Sequence, residues 1–191
     1  MDDLARSFPG QVGPAGSGRR ITVGTERDLV GLEPVDLVVA IDPDLWVLAP
    51  NYRADEDALR LLVRGVLAAK PGRGRRSIVQ TSLPAHPVFD ALRSGDPIPF
   101  MGDVLRTREE TGFPPVGELI ALETDAKDAA VPLREAAGDA AILGPAREGD
   151  RDRWLIQGPD LARVRLRLRG AVRQLRDGGS RVRVDADPVE L

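Results

Sequence analysis

A mixed α/β chain in two successive units is the fold the sequence predicts, and three observations predict it. The run Val35-Asp36-Leu37-Val38-Val39-Ala40-Ile41 is almost continuously apolar, as in a parallel-sheet strand buried on both faces. Strand-like and helix-like stretches alternate up to residue 95. Beyond Gly95-Asp96-Pro97-Ile98-Pro99 the order becomes β-α-β-β-α-β, the split βαβ or ferredoxin-like pattern. Residues 1–95 and 96–191 are therefore expected to form a partial parallel-sheet unit followed by an α+β unit.

Taken in order, Phe8 to Arg20 is rich in Gly and Pro and predicts a loop. Ile21-Thr22-Val23-Gly24-Thr25 predicts a short strand, followed by the apolar run at 35–41. Asp55-Glu56-Asp57 opens a helix that carries Leu59, Leu62, Val66 and Ala69 on one side, and the acids favour its N-terminal dipole. Pro71-Gly72 stops it, Ser77 to Thr81 returns as a strand, and His86 to Arg93 forms a short helix. A connecting helix from Met101 to Thr111 ends at Gly112, and Pro114-Pro115 forces extended backbone. Strands follow at Gly117–Glu123, Ala140–Leu143, Arg153–Gln157 and Arg181–Asp185. Helices are expected at Asp128–Ala137 and Asp160–Arg176.

That last helix needs a decision, because Arg163-Val164-Arg165-Leu166-Arg167-Leu168-Arg169 alternates as a half-buried strand would. Over the longer stretch to Leu175, a helical period gathers Leu161, Val164, Leu168, Ala171, Val172 and Leu175 within an arc of about 100°, and leaves only Leu166 outside. Asp160 can cap the start and Gly178-Gly179 the end, so the segment is read as a helix.

Composition narrows the chemistry. The 191 residues are 42% hydrophobic and 30% charged, which suits a soluble globular chain. Cysteine is absent and histidine occurs only at position 86, which excludes disulfides, thiolate nucleophiles and cysteine zinc sites. Carboxylate sites for Mg²⁺ stay open. No apolar run approaches the roughly 18 residues of a membrane span, and the first residues lack a signal-peptide pattern, so a cytoplasmic protein with no membrane partner is expected.

Several short motifs fail on context. Gly13-Pro14-Ala15-Gly16-Ser17-Gly18-Arg19-Arg20 has phosphate-loop glycine spacing but arginines where Lys and Ser/Thr belong, and it precedes a strand rather than a helix. Asp42 and Asp44 follow the apolar strand as a Mg²⁺-holding carboxylate would, without a phosphate loop to partner them. His86, Asp90 and Ser82 lie near one another in sequence, but no activated nucleophile or oxyanion hole can be read. No catalytic or metal-binding residue is assigned.

The arginines have the strongest functional pull. The net charge of −3 conceals nine arginines against two aspartates from Arg153 to Arg183. On the helix, Arg163, Arg165, Arg167, Arg169, Arg173 and Arg176 occupy everything outside the apolar arc. Guanidinium groups spread along a helix can neutralise several phosphates and release counterions, so these six are the candidate anion-contacting residues, for a DNA backbone or for an acidic partner. Base stacking is not expected, since only seven residues are aromatic (four Phe, two Trp, one Tyr).

The C-terminal motifs Gly112-Phe113-Pro114-Pro115, Leu143-Gly144-Pro145-Ala146, Arg153-Trp154-Leu155-Ile156 and Asp185-Ala186-Asp187-Pro188-Val189 resemble the end of the PriA family of primosomal replication-restart helicases. The resemblance extends upstream. Leu4-Ala5-Arg6-Ser7-Phe8-Pro9-Gly10 is similar to a segment of the family's second helicase lobe, and Ile21 to Thr25 sits where the family has the strand and Gly-Thr of motif V. Pro50-Asn51-Tyr52-Arg53-Ala54 to Glu56 resembles its (P)DFRAxE stretch. Ser77 to Thr81 with Pro84-Ala85-His86-Pro87-Val88 resembles its V-x-x-Q-T…P-x-H-P-V stretch.

The departures are as informative. Motif V should continue into Lys-Gly-His but reads Leu29-Val30-Gly31-Leu32-Glu33, and motif VI, Q-x-x-G-R-x-G-R in the family, is replaced by Val63 to Lys70. The arginines that would stabilise the transferring γ-phosphate are missing, and Pro71-Gly72-Arg73-Gly74-Arg75 lies beyond the helix.

The resemblance implies a partial RecA-like lobe over residues 1–95 and a PriA-type C-terminal domain over 96–191, in a divergent branch like that of actinobacteria. It implies a DNA-binding part of the replication-restart primosome, with forked or single-stranded DNA, single-strand-binding protein and other primosome proteins as partners. The family's ATP, Mg²⁺ and zinc are held by segments that do not occur in this chain, so no cofactor is expected and the chain alone is expected to be inactive. Two alternatives stay open: a fragment of an ATP-dependent 3′-to-5′ DNA helicase, active only with an N-terminal half, and an interaction or remnant module without DNA affinity.

Overall fold

The computed structural model describes residues 2–70 and 76–188. The expected helix stop at Pro71-Gly72, the basic run to Arg75 and Val189 of the final motif lie outside them. The chain divides into two compact units, Met1–Ala49 with Ala54–Pro97, and Pro50–Arg53 with Ile98–Leu191. Both are mixed α/β, one with parallel and the other with antiparallel pairing.

The first unit runs α1 (Asp2–Ser7), β1 (Val12–Pro14), β2 (Ile21–Val23), a 3-10 turn (Glu26–Leu29), β3 (Leu37–Ile41), α2 (Asp44–Val47), α3 (Ala54–Leu67), β4 (Arg76–Gln80) and α4 (Pro87–Ser94). Parallel pairing joins β1 to β2 and β3 to β4 in two separate two-stranded sheets. Val12–Pro14 corrects the loop expectation, since local Gly/Pro content hid a short strand that pairs with Ile21–Val23 just beyond the glycine-rich turn. The expectation of a strand buried on both faces is also corrected. Leu37, Val39 and Ile41 are 49%, 45% and 63% exposed, and Ile78, opposite Val39, is 49% exposed. The described strands number two in that sheet, and α3 covers the face of Val38, whose methyl lies 3.7 Å from where a Cβ on Gly65 would sit. Helix α3 itself follows its pattern, with Asp55, Glu56 and Asp57 in the first turn and Leu59 and Leu62 buried.

The second unit holds α5 (Ile98–Thr111), β5 (Glu118–Thr124), α6 (Ala130–Ala137), β6 (Ala141–Glu148), β7 (Arg151–Gly158), α7 (Ala162–Asp177) and β8 (Val182–Ala186). Its four strands pair antiparallel in the order β6-β7-β5-β8. One sheet face buries Ile120, Leu122, Trp154 and Ile156 against Leu133 and Ala136 of α6 and Val164, Leu168, Ala171 and Leu175 of α7. The quoted glycine motifs have steric causes. Gly144 has φ +119°, and a Cβ there would lie 2.7 Å from the Arg153 carbonyl oxygen, at the register shift where β6 bulges. Phe113-Pro114 is held by buried Arg108, which donates to the carbonyls of Pro114 (3.1 Å) and Tyr52 (3.3 Å), and the Tyr52 ring stacks on Phe113 at 5.2 Å.

Residues 163–169 are helical. Leu168 is 3% and Leu166 is 63% exposed, so the alternation is resolved as one buried and one outward leucine. Leu168→Ala is expected to cost about 2–5 kcal/mol and Leu166→Ala less than about 0.5 kcal/mol in chemical denaturation. A half-buried strand would make both substitutions costly.

Candidate nucleic-acid interface

Helix α7 lays its apolar stripe on the sheet, and this fixes where each arginine goes. Asp160 accepts from the Ala162 backbone N–H (2.8 Å) and Glu118 from the Leu161 N–H (2.6 Å), so two acids satisfy the helix start. Gly178 and Gly179, the latter at φ +87°, end it.

Three of the six candidate arginines hold the unit together. Arg165 pairs with Glu118 (3.0 Å) and Asp187 (3.5 Å). Arg167 donates to the carbonyls of Ala136 (2.7 Å) and Ala137 (3.1 Å), where a cation meets the negative end of α6 and its orphan acceptors. Arg176 donates to the Val182 carbonyl (2.8 Å) and so ties α7 to the entry of β8.

Arg163, Arg169 and Arg173 are exposed and make no hydrogen bond or ion pair among the described residues. Helical geometry puts them in an outer arc of about 120°, with Arg169 and Arg173 about 6 Å apart along the axis. Exposed Leu166 lies within that arc. Of the six candidates, three guanidiniums on α7 are thus left without a partner among the described residues, and a guanidinium fork has the geometry for bidentate bonds to phosphate.

The remaining arginines of the basic window are matched by acids that lie outside it in sequence. Arg181 binds Asp125 (2.8 Å) and Asp150 (2.7 Å). Its guanidinium holds both carboxyls below the ordinary aspartate range through hydrogen bonds and charge, and its own pKa is raised in turn.

The sheet face turned away from α6 and α7 carries a second basic group that sequence reasoning did not single out. Glu123 stands opposite Arg153 on β7 and Arg183 on β8, with Arg153 at 3.0 Å, Arg151 at 3.8 Å and Arg183 at 4.0 Å. Arg153 also binds Glu148 (2.6 Å), and Arg183 lies 3.9 Å from Asp185. Leu119 and Ala121 on the same face are buried, so it opens to solvent toward the Glu123 end. The only sequence signal was the alternation of Arg151, Arg153, Arg181 and Arg183, which acquires meaning once the register is known.

The rejected motifs stay apart from any reaction chemistry. Asp44 is buried and accepts from Ser82 Oγ, Thr81 Oγ1 and the Ser82 N–H (2.8 Å). Those bonds, the Ser82 hydroxyl foremost, lower its pKa and occupy its oxygens, so Asp44 does not suit a Mg²⁺ ion. His86 caps α4, its Nδ1 accepting from the Val88 N–H (3.3 Å), and it lies 3.7 Å from Asp55. Asp90 pairs instead with Arg93. The glycine-rich segment leads into β2, and Arg19 donates to the Gly10 carbonyl (2.5 Å). Among the described residues, no group of three or more His, Asp or Glu is placed to hold a metal ion, and no helix is long and apolar enough to cross a membrane.

The Asp44 clasp has a pH signature. Its folded pKa lies below the unfolded value of about 3.9, so its contribution is present above that pH and is lost as pH falls through the folded pKa. Asp44→Asn is expected to lower first-unit stability at neutral pH, with the difference closing below about pH 3.9. Denaturation followed by Trp46 fluorescence, with Trp154 replaced by Phe, would measure it.

No family model matches the chain. The chain is similar to Replication restart protein PriA of Synechocystis sp. (strain ATCC 27184 / PCC 6803 / Kazusa), at 27% identity over 194 residues, covering 90% of this chain and 23% of that protein. It is a distant relative of the PriA C-terminal region and spans about a quarter of the length of that curated relative.

Proposed function

We propose, from the distant relationship to PriA, that this chain is a DNA-binding component of the replication-restart primosome whose C-terminal unit grips the phosphate backbone of forked or single-stranded DNA. The observation that carries the reading is the outer arc of α7, where Arg163, Arg169 and Arg173 are exposed and unpaired among the described residues. Nonspecific backbone binding suits this arrangement. The Tyr52 ring is stacked on Phe113, with Arg53 and Arg108 within cation–π distance of it, and Trp154 is buried, so bases are offered no aromatic platform by these residues.

In this reading residues 96–191 form a ferredoxin-like domain, supported by the β-α-β-β-α-β order and the strand sequence β6-β7-β5-β8. Residues 1–95 are the partial RecA-like lobe, supported by parallel pairing of β3 with β4 and by α3 against one face. The module uses no nucleotide, Mg²⁺ or zinc of its own and does not turn over ATP alone. Its partners are DNA, single-strand-binding protein and other primosome proteins.

A second reading is favoured by the exposed apolar face of β3 and β4, since parallel sheets are ordinarily covered on both sides. In that reading the first unit is completed by further helicase chain and works as part of an ATP-dependent 3′-to-5′ helicase. ATPase activity on reconstitution with an N-terminal helicase half would support it.

The backbone-binding reading is tested by R169E/R173E. Anisotropy titration with forked or single-stranded DNA should show about tenfold or greater weakening, and a salt dependence flatter by about two units. Affinity equal to the parent chain would overturn it. R167A is expected to lower stability without changing the salt slope, because its guanidinium holds α6.

A further inference from the structure

We propose a second phosphate-binding site on the sheet face opposite α6 and α7, in which Glu123 occupies the place of a nucleic-acid backbone phosphate. Three guanidiniums converge on its carboxylate from two neighbouring strands, Arg151 and Arg153 from β7 and Arg183 from β8. Only Arg153 is within hydrogen-bonding distance. Arg151 at 3.8 Å and Arg183 at 4.0 Å are held by charge alone, and the buried Arg153 Nε has no acceptor among the described residues.

The cluster therefore has more donors than one carboxylate satisfies. A phosphodiester shares one negative charge over two non-bridging oxygens and adds two bridging ones, in a shape that guanidinium forks match in bidentate fashion. The site is reachable, since the Arg183 side chain is 65% exposed and those of Arg151 and Arg153 are 33% and 24% exposed. Glu148 and Asp185 at the rim bring the cluster to three acids against three arginines, so the site stays masked until Glu123 swings aside. The choice of ligand rests on the DNA-binding reading above, but the residues are separate from those on α7.

The test is anisotropy of a labelled single-stranded oligonucleotide with the full chain. E123Q is expected to bind about tenfold more tightly than the parent, with a salt dependence steeper by about one unit. E135Q, the same charge change at an exposed position on α6, should gain less than about twofold, because a remote charge is largely screened. E123Q/R183A should fall back to parent affinity. An equal gain in E123Q and E135Q, or a gain that survives R183A, overturns the site. If E123Q does not fold, NMR of the parent chain's Arg153 and Arg183 Nε–H groups decides. Shifts with the oligonucleotide support the site, and no shift, or a response to inorganic phosphate alone, overturns it. R169E/R173E separates the readings: loss of binding there with no E123Q gain sinks only this inference, whereas an E123Q gain with R169E/R173E at parent affinity sinks only the α7 reading.

Discussion

The apolar stripe of α7 against the sheet is the constraint from which the C-terminal unit follows. Val164, Leu168, Ala171 and Leu175 must face Ile120, Leu122, Trp154 and Ile156 to leave water, and burial of several such side chains outweighs any single surface contact. Once that rotation is fixed, every arginine on the helix has an assigned direction. Arg165 meets Glu118 and Asp187, Arg167 reaches the end of α6, and Arg176 reaches the entry of β8. Arg163, Arg169 and Arg173 are left outward. Which cations can meet a ligand is thus a consequence of packing.

Charge counted along the chain overstates charge in space. Of the nine arginines from 153 to 183, Arg153, Arg165, Arg181 and Arg183 are answered by Glu118, Glu123, Asp125, Glu148 and Asp150, all before the window, and by Asp185 and Asp187 after it, while Arg167 and Arg176 are taken up by backbone carbonyls. Antiparallel pairing brings them together, since β5 lies between β7 and β8. Exposed pairs of this kind add little stability, but they remove the local field that a linear count suggests. The basic ridge narrows to three residues, and the Glu123 cluster is charge-matched rather than bare.

This also explains how much was legible in the sequence. The helical period of residues 161–175 and its one misfit, Leu166, could be read because both strand and helix leave periodic traces within a single segment. The β-α-β-β-α-β order could be read for the same reason. What escaped depends on separate segments meeting. Val12–Pro14 becomes a strand only beside Ile21–Val23, and the two-sided burial expected for Val35–Ile41 required covering elements that the described chain does not supply. His86 reads as the first residue of a short helix that also holds Asp90, yet it sits before α4 as its cap and lies beside Asp55. Glu123 carries no signal in the sequence beyond ending a strand, and only the register sets it between Arg153 and Arg183.

In the function proposed above, three outward guanidiniums on α7 displace counterions from a nucleic-acid backbone. That displacement is tested most directly by the salt dependence of the unmodified chain's affinity for forked DNA. Three phosphate contacts should give a slope of log K against log salt between about −2 and −3. A slope near zero, or no measurable binding at low salt, would contradict it.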